Sequence, residues 1–236
     1  MSRVANPDKT MMNLDERCPT LPPKCLFVLE LEQDEYFPHL TPSEVPLLIE
    51  QAIQKGIHAS GKWAEQKQSL KDMINLLIRQ GITVRFLERH PEKPSIRAEY
   101  NKKTKTIRIY RKSMHQIQRF FEELNIPVTE EDLFLLHLYH EWFHHLEETK
   151  IGRTDDELPR VTIKQKGPFA IRKRLSRLRE IAAHAFVQQV FELNWSPLLL
   201  DYLLYFKEKG WSFGQIRESF QKEKERIQSV YHLGGT

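Results

Sequence analysis

The segment from Leu136 to His145 holds the residues best suited to chemistry, in the pattern H-E-x-x-H at His140, Glu141 and His144. On a helix, residues four apart lie one turn apart on the same face, so both imidazoles can bind one metal ion. Glu141 lies about 100° further round, which directs its carboxylate toward a water that the ion activates rather than toward the ion. This spacing predicts zinc-assisted hydrolysis.

The residues around the motif have the period of an amphipathic helix. Apolar and aromatic side chains fall in one arc of the helix: Leu135, Leu136, Tyr139, Trp142, Phe143 and Leu146. Polar side chains lie opposite: His137, His140, Glu141, His144, His145 and Glu148. One face is therefore expected to pack and the other to do chemistry or meet water. The helix is expected to begin at Thr129, which with Asp132 resembles a capping box, and to end near Lys150.

A catalytic zinc usually takes three protein ligands and leaves one position for water. A third histidine from the same segment is excluded, because Glu147 and Lys150 occupy the Gly and His positions of the extended motif. Downstream, Glu180 borders an almost wholly apolar stretch, residues 181–187, where an acid is costly unless a cation compensates it. We therefore expect Glu180 to be the third metal ligand.

Other readings of this second segment stay open. Glu180 could instead form a salt bridge with Lys173, Arg177 or Arg179. His184 shares a helix face with Glu180, so it could replace Glu180 as ligand, support the ligands from outside, or donate to the developing oxyanion as a catalytic group beside Glu141. His184 and Arg177 are the two candidate donors to the oxyanion.

The remaining polar residues near the motif are weaker candidates. His137 is about 10 Å along the helix axis from His144, too far to share one ion. We expect His137 and His145 to be polar residues near the site or on the surface, and Glu147 and Glu148 to be solvated.

Composition bounds the class of protein. The 236 residues, 40% of them hydrophobic, suit one globular domain with extensions. No stretch approaches 18 apolar residues and the N-terminus lacks an apolar signal segment, so we expect no membrane span, no signal peptide and a cytoplasmic protein. Cys18 and Cys25 flank a Pro-rich stretch and are expected to be reduced.

The basic residues cluster in two segments, 102–112 and 172–179, although the net charge is only +4. Most such clusters are solvated, and a minority contact nucleic acid or an acidic partner. They support an alternative to the peptidase, a non-catalytic regulator with a metallopeptidase fold that binds a repressor or nucleic acid. Nucleic acid is not the favoured partner. A purely structural metal site is a third reading.

The rest of the chain indicates an α+β fold, mostly helical and zincin-like, beside a small, three-stranded, largely antiparallel sheet. An extended arm (1–43) is expected before one metallopeptidase-like domain (44–236), whose core spans about 82–197 and whose C-terminal helices span 196–230. Further helices are expected at 43 to near Gly56, 63–80 with Gly81 as cap, and 113–124. Strands are expected at 82–86, 96–100 and 106–110, the last two as a hairpin, and a loop at 152–168. The small residues Ala182, Ala183 and Ala185 should let their helix approach a neighbour closely.

The strand hairpin, the motif from His140 to His144, the segment from Glu180 to Phe186 and Pro197 beyond it resemble the ImmA/IrrE family of zinc metallopeptidases. The resemblance covers roughly residues 96–197. It implies a gluzincin-like core, His140, His144 and Glu180 as ligands of Zn²⁺, and Glu141 as the base. Known members cleave or inactivate transcriptional repressors, so it also implies an intracellular protein substrate. From the lack of an apolar span we expect no membrane partner.

The sequence departs from the family pattern at two positions of the second helix. His184 stands where the family usually has Asn, and Val187 where it often has Ala. These departures concern the pocket and the substrate rather than the metal. The sequence therefore predicts a zinc-dependent peptidase in which Glu141 takes a proton from the attacking water and passes it to the leaving amine.

Overall fold

The computed structural model of the chain describes residues 14–65, 68–93 and 95–231. In this part the helices are α1 (Leu14–Arg17), α2 (Pro23–Leu31), α3 (Glu44–Glu65), α4 (Leu70–Arg79), α5 (Arg111–Glu123), α6 (Glu130–Leu146), α7 (Thr154–Glu157), α8 (Arg177–Val190), α9 (Leu198–Glu208) and α10 (Phe213–Tyr231). The strands are β1 (Thr83–Leu87), β2 (Ala98–Asn101), β3 (Thr106–Tyr110), β4 (Val161–Lys166) and β5 (Phe169–Lys173). The predicted α+β class is confirmed.

The three predicted strands form one sheet in the order β1-β3-β2. Strand β3 pairs antiparallel with β2, as the predicted hairpin requires, and parallel with β1. The sheet is therefore mixed, and the expectation of a largely antiparallel sheet is wrong. Burial explains the strand order. Ile107 and Ile109 are both fully buried, which suits β3 to the central position of the sheet, whereas residues of β1 alternate between exposed and half-buried, as suits an edge strand.

Helix α6 carries the H-E-x-x-H motif and packs against β2, β3, α4, α5 and α8. The predicted capping box begins it: Thr129 Oγ1 accepts from the N–H of Asp132, and Asp132 Oδ2 accepts from the N–H of Thr129, at 3.2 and 2.9 Å. The predicted apolar face is buried. On the side expected to meet water, Glu141 and His145 are buried as well, so α6 is enclosed on both sides.

Helix α8 packs closely along α3, which confirms the close approach expected from the alanines of α8. A Cβ atom built on Gly56 of α3 would lie 2.2 Å from the carbonyl oxygen of Ala182 and 2.9 Å from the nitrogen of Phe186. Gly56 therefore serves helix packing, and the prediction that α3 ends there is wrong. The helix continues to Glu65, with a local departure from helical geometry at Gly61.

The expected extended arm is wrong for residues 14–43. Prolines at the start of α2 suit the first turn of a helix, and Leu26, Phe27 and Val28 are at most 2% exposed within the core. Helix α2 packs against α3 and α8. Residues 1–13 of the expected arm lie outside the described residues. Cys18 and Cys25 are buried and free, as predicted.

Two further expectations are corrected. The helix expected at 63–80 is two helices, since α3 ends at Glu65 and α4 begins after Ser69, whose hydroxyl accepts from the N–H of Asp72 at 3.2 Å. Residues 152–168 are a loop only in part, because α7 and strand β4 occupy most of them and the partner strand β5 follows directly after them. Gly81 has φ +75°, as its predicted cap position requires. None of the described helices is long and apolar enough to cross a membrane.

We expect Gly56→Ala to destabilise the protein although alanine favours helices more than glycine does. The added methyl group would overlap the backbone of α8, and overpacking of this kind costs about 1–3 kcal/mol. Gly214→Ala is the matched control in α10, where the nearest atom would be 3.7 Å away and helix propensity predicts a gain of up to about 1 kcal/mol. Urea unfolding of both variants measures the difference, and equal stability would contradict the role of Gly56.

Candidate metal centre

Two imidazoles of α6 and one carboxylate of α8 converge. His140 Nε2 lies 3.2 Å from Glu180 Oε2 and 3.3 Å from His144 Nε2, and His144 Nε2 lies 3.4 Å from Glu180 Oε1. Among the described residues, these three form the group of histidines, cysteines and acids whose ligand atoms could hold a metal ion. The structure thus brings together the three residues predicted as ligands.

The separations fit a tetrahedral zinc ion. Two ligand atoms that each lie about 2.0–2.1 Å from a tetrahedral zinc are about 3.3 Å apart. The two imidazole nitrogens are 3.3 Å apart, and the carboxylate of Glu180 lies 3.2 Å from His140 through Oε2 and 3.4 Å from His144 through Oε1, which is close to this value. The side chains of His140, His144 and Glu180 are 17%, 12% and 36% exposed, so the centre is reachable from one side. The donor set and the open side suit a three-ligand zinc site.

The electrostatics of the centre favour a positive charge between these groups. Burial opposes a charged His144, but the carboxylates of Glu180 and Glu147 outweigh burial and raise the pKa of His144 to about 10. Burial also opposes an ionised Glu180, yet His144 and His140 hold the pKa of Glu180 well below its ordinary value. A bound cation would supply the same charge as protons on the imidazoles.

Glu147 is buried and supports His144, so the expectation that it is solvated is wrong. Its side chain is fully enclosed, and Oε2 lies 3.1 Å from His144 Nδ1 and 2.8 Å from Arg179 Nε. Its other oxygen accepts from the N–H and hydroxyl of Thr154 at 2.8 and 2.5 Å. A carboxylate at Nδ1 holds the ring in the tautomer whose Nε2 can bind a metal. The three-residue spacing from His144 was the available signal.

Glu148, the next residue, is only partly exposed. It pairs with Arg179 at 3.1 Å and with Arg153 at 3.7 Å. Its solvation is therefore less complete than expected, and it makes no described contact with His144.

Glu141 is 7% exposed and faces the edge strand β2. Burial raises the pKa of Glu141 above its ordinary value, and His140 and His144 partly offset that rise. The nearby main chain of Tyr100 also lowers the pKa of Glu141, by less than burial raises it. A carboxylate with a raised pKa is suited to accept a proton.

His184 lies beside the centre but outside the ligand group. Its ring centroid is 4.8 Å from that of His140, and its buried Nδ1 has no hydrogen-bond partner among the described residues. Burial, with a smaller effect of His140, lowers the pKa of His184 well below its ordinary value, so the imidazole is neutral. The geometry favours Glu180 over His184 as third ligand, and the catalytic role of His184 stays a prediction.

The other two histidines of the motif helix are structural. His137 Nδ1 lies 2.8 Å from the carbonyl oxygen of Leu133, and burial lowers the pKa of His137 to about 3. His145 is 3% exposed, stacks on Trp142 and lies 2.8 Å through Nδ1 from the hydroxyl of Tyr100. The alternative of surface positions is thus wrong for His145, which ties α6 to β2.

Two acids of the N-terminal part hold α8 in place, and the sequence reasoning missed both. Asp34 Oδ2 accepts from the N–H of Arg177 and the hydroxyl of Ser176, each at 3.1 Å, and so caps α8 from a distant segment. Glu30 pairs with Arg177 at 2.9 Å. Burial raises the pKa of Glu30, and the nearby charge of Glu180 raises it further. Glu30 stands in an apolar stretch, the same signal that identified Glu180.

A cavity of about 600 Å³ opens elsewhere on α8 and does not include the three ligand residues. Its walls come from the start of α2, the middle of α3, the second half of α8 and α10. Its floor is apolar, through Phe27, Ile53 and Leu193, and its rim carries Lys24 and Lys224. The candidate metal centre is therefore separate from this cavity.

We expect Glu147→Gln to weaken zinc binding by about 10–100-fold, the usual effect of losing an outer carboxylate that orients a histidine ligand. Glu148→Gln is the matched control, because it changes the same charge one residue away without touching His144. Competition with a chromophoric chelator measures the affinity of both variants. Equal affinities would show that Glu147 does not orient the ligand.

In comparisons with models of protein families, with curated proteins and with solved structures, the chain matches none of them. The geometry of the candidate metal centre is therefore the basis for its functional interpretation.

Proposed function

We propose that this protein is a zinc-dependent metallopeptidase with His140, His144 and Glu180 as metal ligands and Glu141 as the general base. The observation that carries the proposal is the convergence of two imidazoles and one carboxylate from two helices, with 3.2–3.4 Å between their nearest nitrogen and oxygen atoms, next to a buried glutamate. A lone H-E-x-x-H would be weaker support. Here a third candidate ligand, 36 residues beyond His144 in the sequence, is brought to the pair by the fold.

The residues of the site divide the chemistry between them. Zinc, when bound, would supply Lewis acidity, which makes water a nucleophile near neutral pH and polarises a carbonyl group. Glu141 accepts the proton of the attacking water and returns it to the nitrogen of the leaving amine. The main chain of Tyr100 lies near the Glu141 carboxylate and favours its ionised form. The neutral imidazole of His184 donates a hydrogen bond to the developing oxyanion in this proposal.

Strand β2 is the proposed binding edge for an extended peptide. It lies at the edge of the sheet and contacts α6. The carbonyl oxygen of Arg97 accepts a hydrogen bond from the N–H of Tyr110 in β3. Because main-chain groups alternate in direction along a strand, those of Ala98 and Tyr100 point to the open edge of the sheet. The main chain of Tyr100 also lies near the Glu141 carboxylate. A substrate strand added here would run beside the general base.

The resemblance to the ImmA/IrrE family supports a protein substrate, and we propose a transcriptional regulator as its class. We also propose a cytoplasmic location, with Cys18 and Cys25 as free thiols. A non-catalytic regulator with the same fold would keep the ligand geometry without needing Glu141.

We expect protein purified without added metal or chelator to carry about one zinc per chain. Glu141→Gln should keep that zinc and lose proteolysis by at least about 10³-fold, because the amide cannot accept the proton, whereas Glu180→Gln should lose most of the zinc. Elemental analysis and cleavage of a quenched fluorescent peptide library measure the two properties. A Glu141→Gln variant as active as the parent protein would exclude this mechanism and leave the non-catalytic reading.

We expect chelation to abolish activity without unfolding the protein. The buried residues form a hydrophobic cluster that extends from α1 to α10 and does not include the ligands, so the fold does not depend on the ion. Circular dichroism and the unfolding midpoint should change little when zinc is removed, and added zinc should restore cleavage. Unfolding on chelation would instead identify a structural metal site.

A further inference from the structure

Strands β4 and β5 form a two-stranded antiparallel ribbon. In the sequence they lie between α6 and α8, the helices that carry the candidate ligands. Its register places Lys166 opposite Phe169 and Lys164 opposite Ile171, with the turn at Gly167 and Pro168 between them. Most of its residues are exposed, including Phe169 at 78% and Ile171 at 52%. The proposed peptidase chemistry uses none of these side chains.

The ribbon and its flanks are strongly basic. Between Leu158 and Glu180 the chain has eight basic residues and no acid: Arg160, Lys164, Lys166, Arg172, Lys173, Arg174, Arg177 and Arg179. The predicted basic cluster at 172–179 is thus the second half of a longer basic segment. A surface of this charge attracts a polyanion.

The structure separates these cations into two groups. At the base of the ribbon, Arg160 and Arg174 pair with Asp156, at 3.4 and 2.5 Å, and the two arginines of α8 pair with acids of the core. On the ribbon itself the remaining cations have no acid within ion-pair distance among the described residues: Lys164, Lys166, Arg172 and Lys173. These four cations, which lack an acidic partner although Lys173 Nζ also lies 5.6 Å from the centre of the Tyr36 ring, are therefore all on the ribbon itself.

The predicted cluster at 102–112 is different. Lys102 lies 3.8 Å from Glu148, Arg108 pairs with Glu99, and Arg111 lies over the ring of Phe86. Lys103, Lys105, Arg111 and Lys112 make no ion pair among the described residues, so the ribbon differs less in its number of free charges than in the exposed Phe169 and Ile171 that accompany them on one two-stranded element.

The two faces of the ribbon both carry cations. Because side chains alternate along a strand, Phe169, Ile171 and Lys173 share one face, and the register adds Lys164 and Lys166 beside them. Arg172 lies on the other face. A membrane surface would meet one face or the tip, whereas a groove of a nucleic acid presents a phosphate strand on each side of an inserted ribbon.

We propose that the β4–β5 ribbon binds B-form DNA, with its four unpaired cations on phosphates and Phe169 at the tip against the base pairs. Two strands about 4.8 Å apart fit the major groove, which is about 12 Å wide and admits a two-stranded ribbon. The major groove of double-stranded RNA is too narrow for side chains to read. In the major groove an apolar side chain such as that of Phe169 is suited to contact the methyl group of thymine.

The test uses fluorescence anisotropy of a labelled 20-base-pair DNA duplex with the full chain between 50 and 200 mM salt. Four phosphate contacts predict a slope of log K against log salt of about −3.6, or a loss of about 150-fold over this range. Lys164→Gln with Lys166→Gln should reduce the slope by about 1.8 and the affinity at 50 mM salt by at least about ten-fold. Phe169→Ala should weaken binding about five-fold or more, and Phe169→Tyr should restore it.

Lys71→Gln with Lys222→Gln is the control, because it removes the same charge from exposed positions of α4 and α10 and should change affinity less than two-fold. Glu141→Gln should bind DNA as the parent protein does, so this proposal and the peptidase proposal can fail separately. No binding at 50 mM salt, an equal effect of the control pair, or tighter binding to phosphatidylserine vesicles or to an RNA duplex would overturn it. All ribbon variants alter exposed side chains, and unchanged unfolding midpoints would confirm that they fold.

Discussion

The candidate metal centre depends on the close contact between the backbones of α3 and α8 at Gly56 and Ala182. Two ligands need no such help, because their four-residue spacing on α6 brings the imidazoles together by helix geometry alone. Glu180 has no local reason to be near them. It reaches the centre because α8 packs against α3 on one side and α6 on the other. In addition, Asp34 accepts a hydrogen bond from the N–H of Arg177 and so caps the start of α8.

The interior around the centre contains an unusual number of carboxylates, and each has a polar neighbour. Glu147 meets His144, Arg179 and Thr154, Glu30 meets Arg177, and the main chain of Tyr100 lies near Glu141. An unpaired buried carboxylate would ordinarily take up a proton or weaken the fold. Here the surrounding histidines, arginines and main-chain donors keep the acids in place, so the negative charge is concentrated where a cation would sit. The contacts of the folded chain thus arrange His140, His144 and Glu180 so that they could hold a metal ion.

The sequence predicted what local geometry determines. The motif helix with its Thr129 cap, the β2–β3 hairpin and the apolar surroundings of Glu180 all follow from short-range periodicity, and the structure confirms each. Tertiary contacts decided the rest. Glu147 shares a helix face with His144, yet its burial comes from Thr154 and Arg179, which no local pattern connects to it. Gly56 looked like a helix end because glycine often is one, and only its neighbour in space shows otherwise.

The base of the β4–β5 ribbon has a consequence for how related chains should be sought. Arg160 enters the ribbon and Arg174 leaves it, and both hold the same carboxylate, Asp156. The segment is therefore closed at its base whatever its length, and residues could be gained or lost beyond that point without moving either ligand helix. The number of residues separating the histidine pair from the third ligand is free to drift during evolution. A search that demands a constant interval between them would overlook relatives that retain the same three-dimensional arrangement.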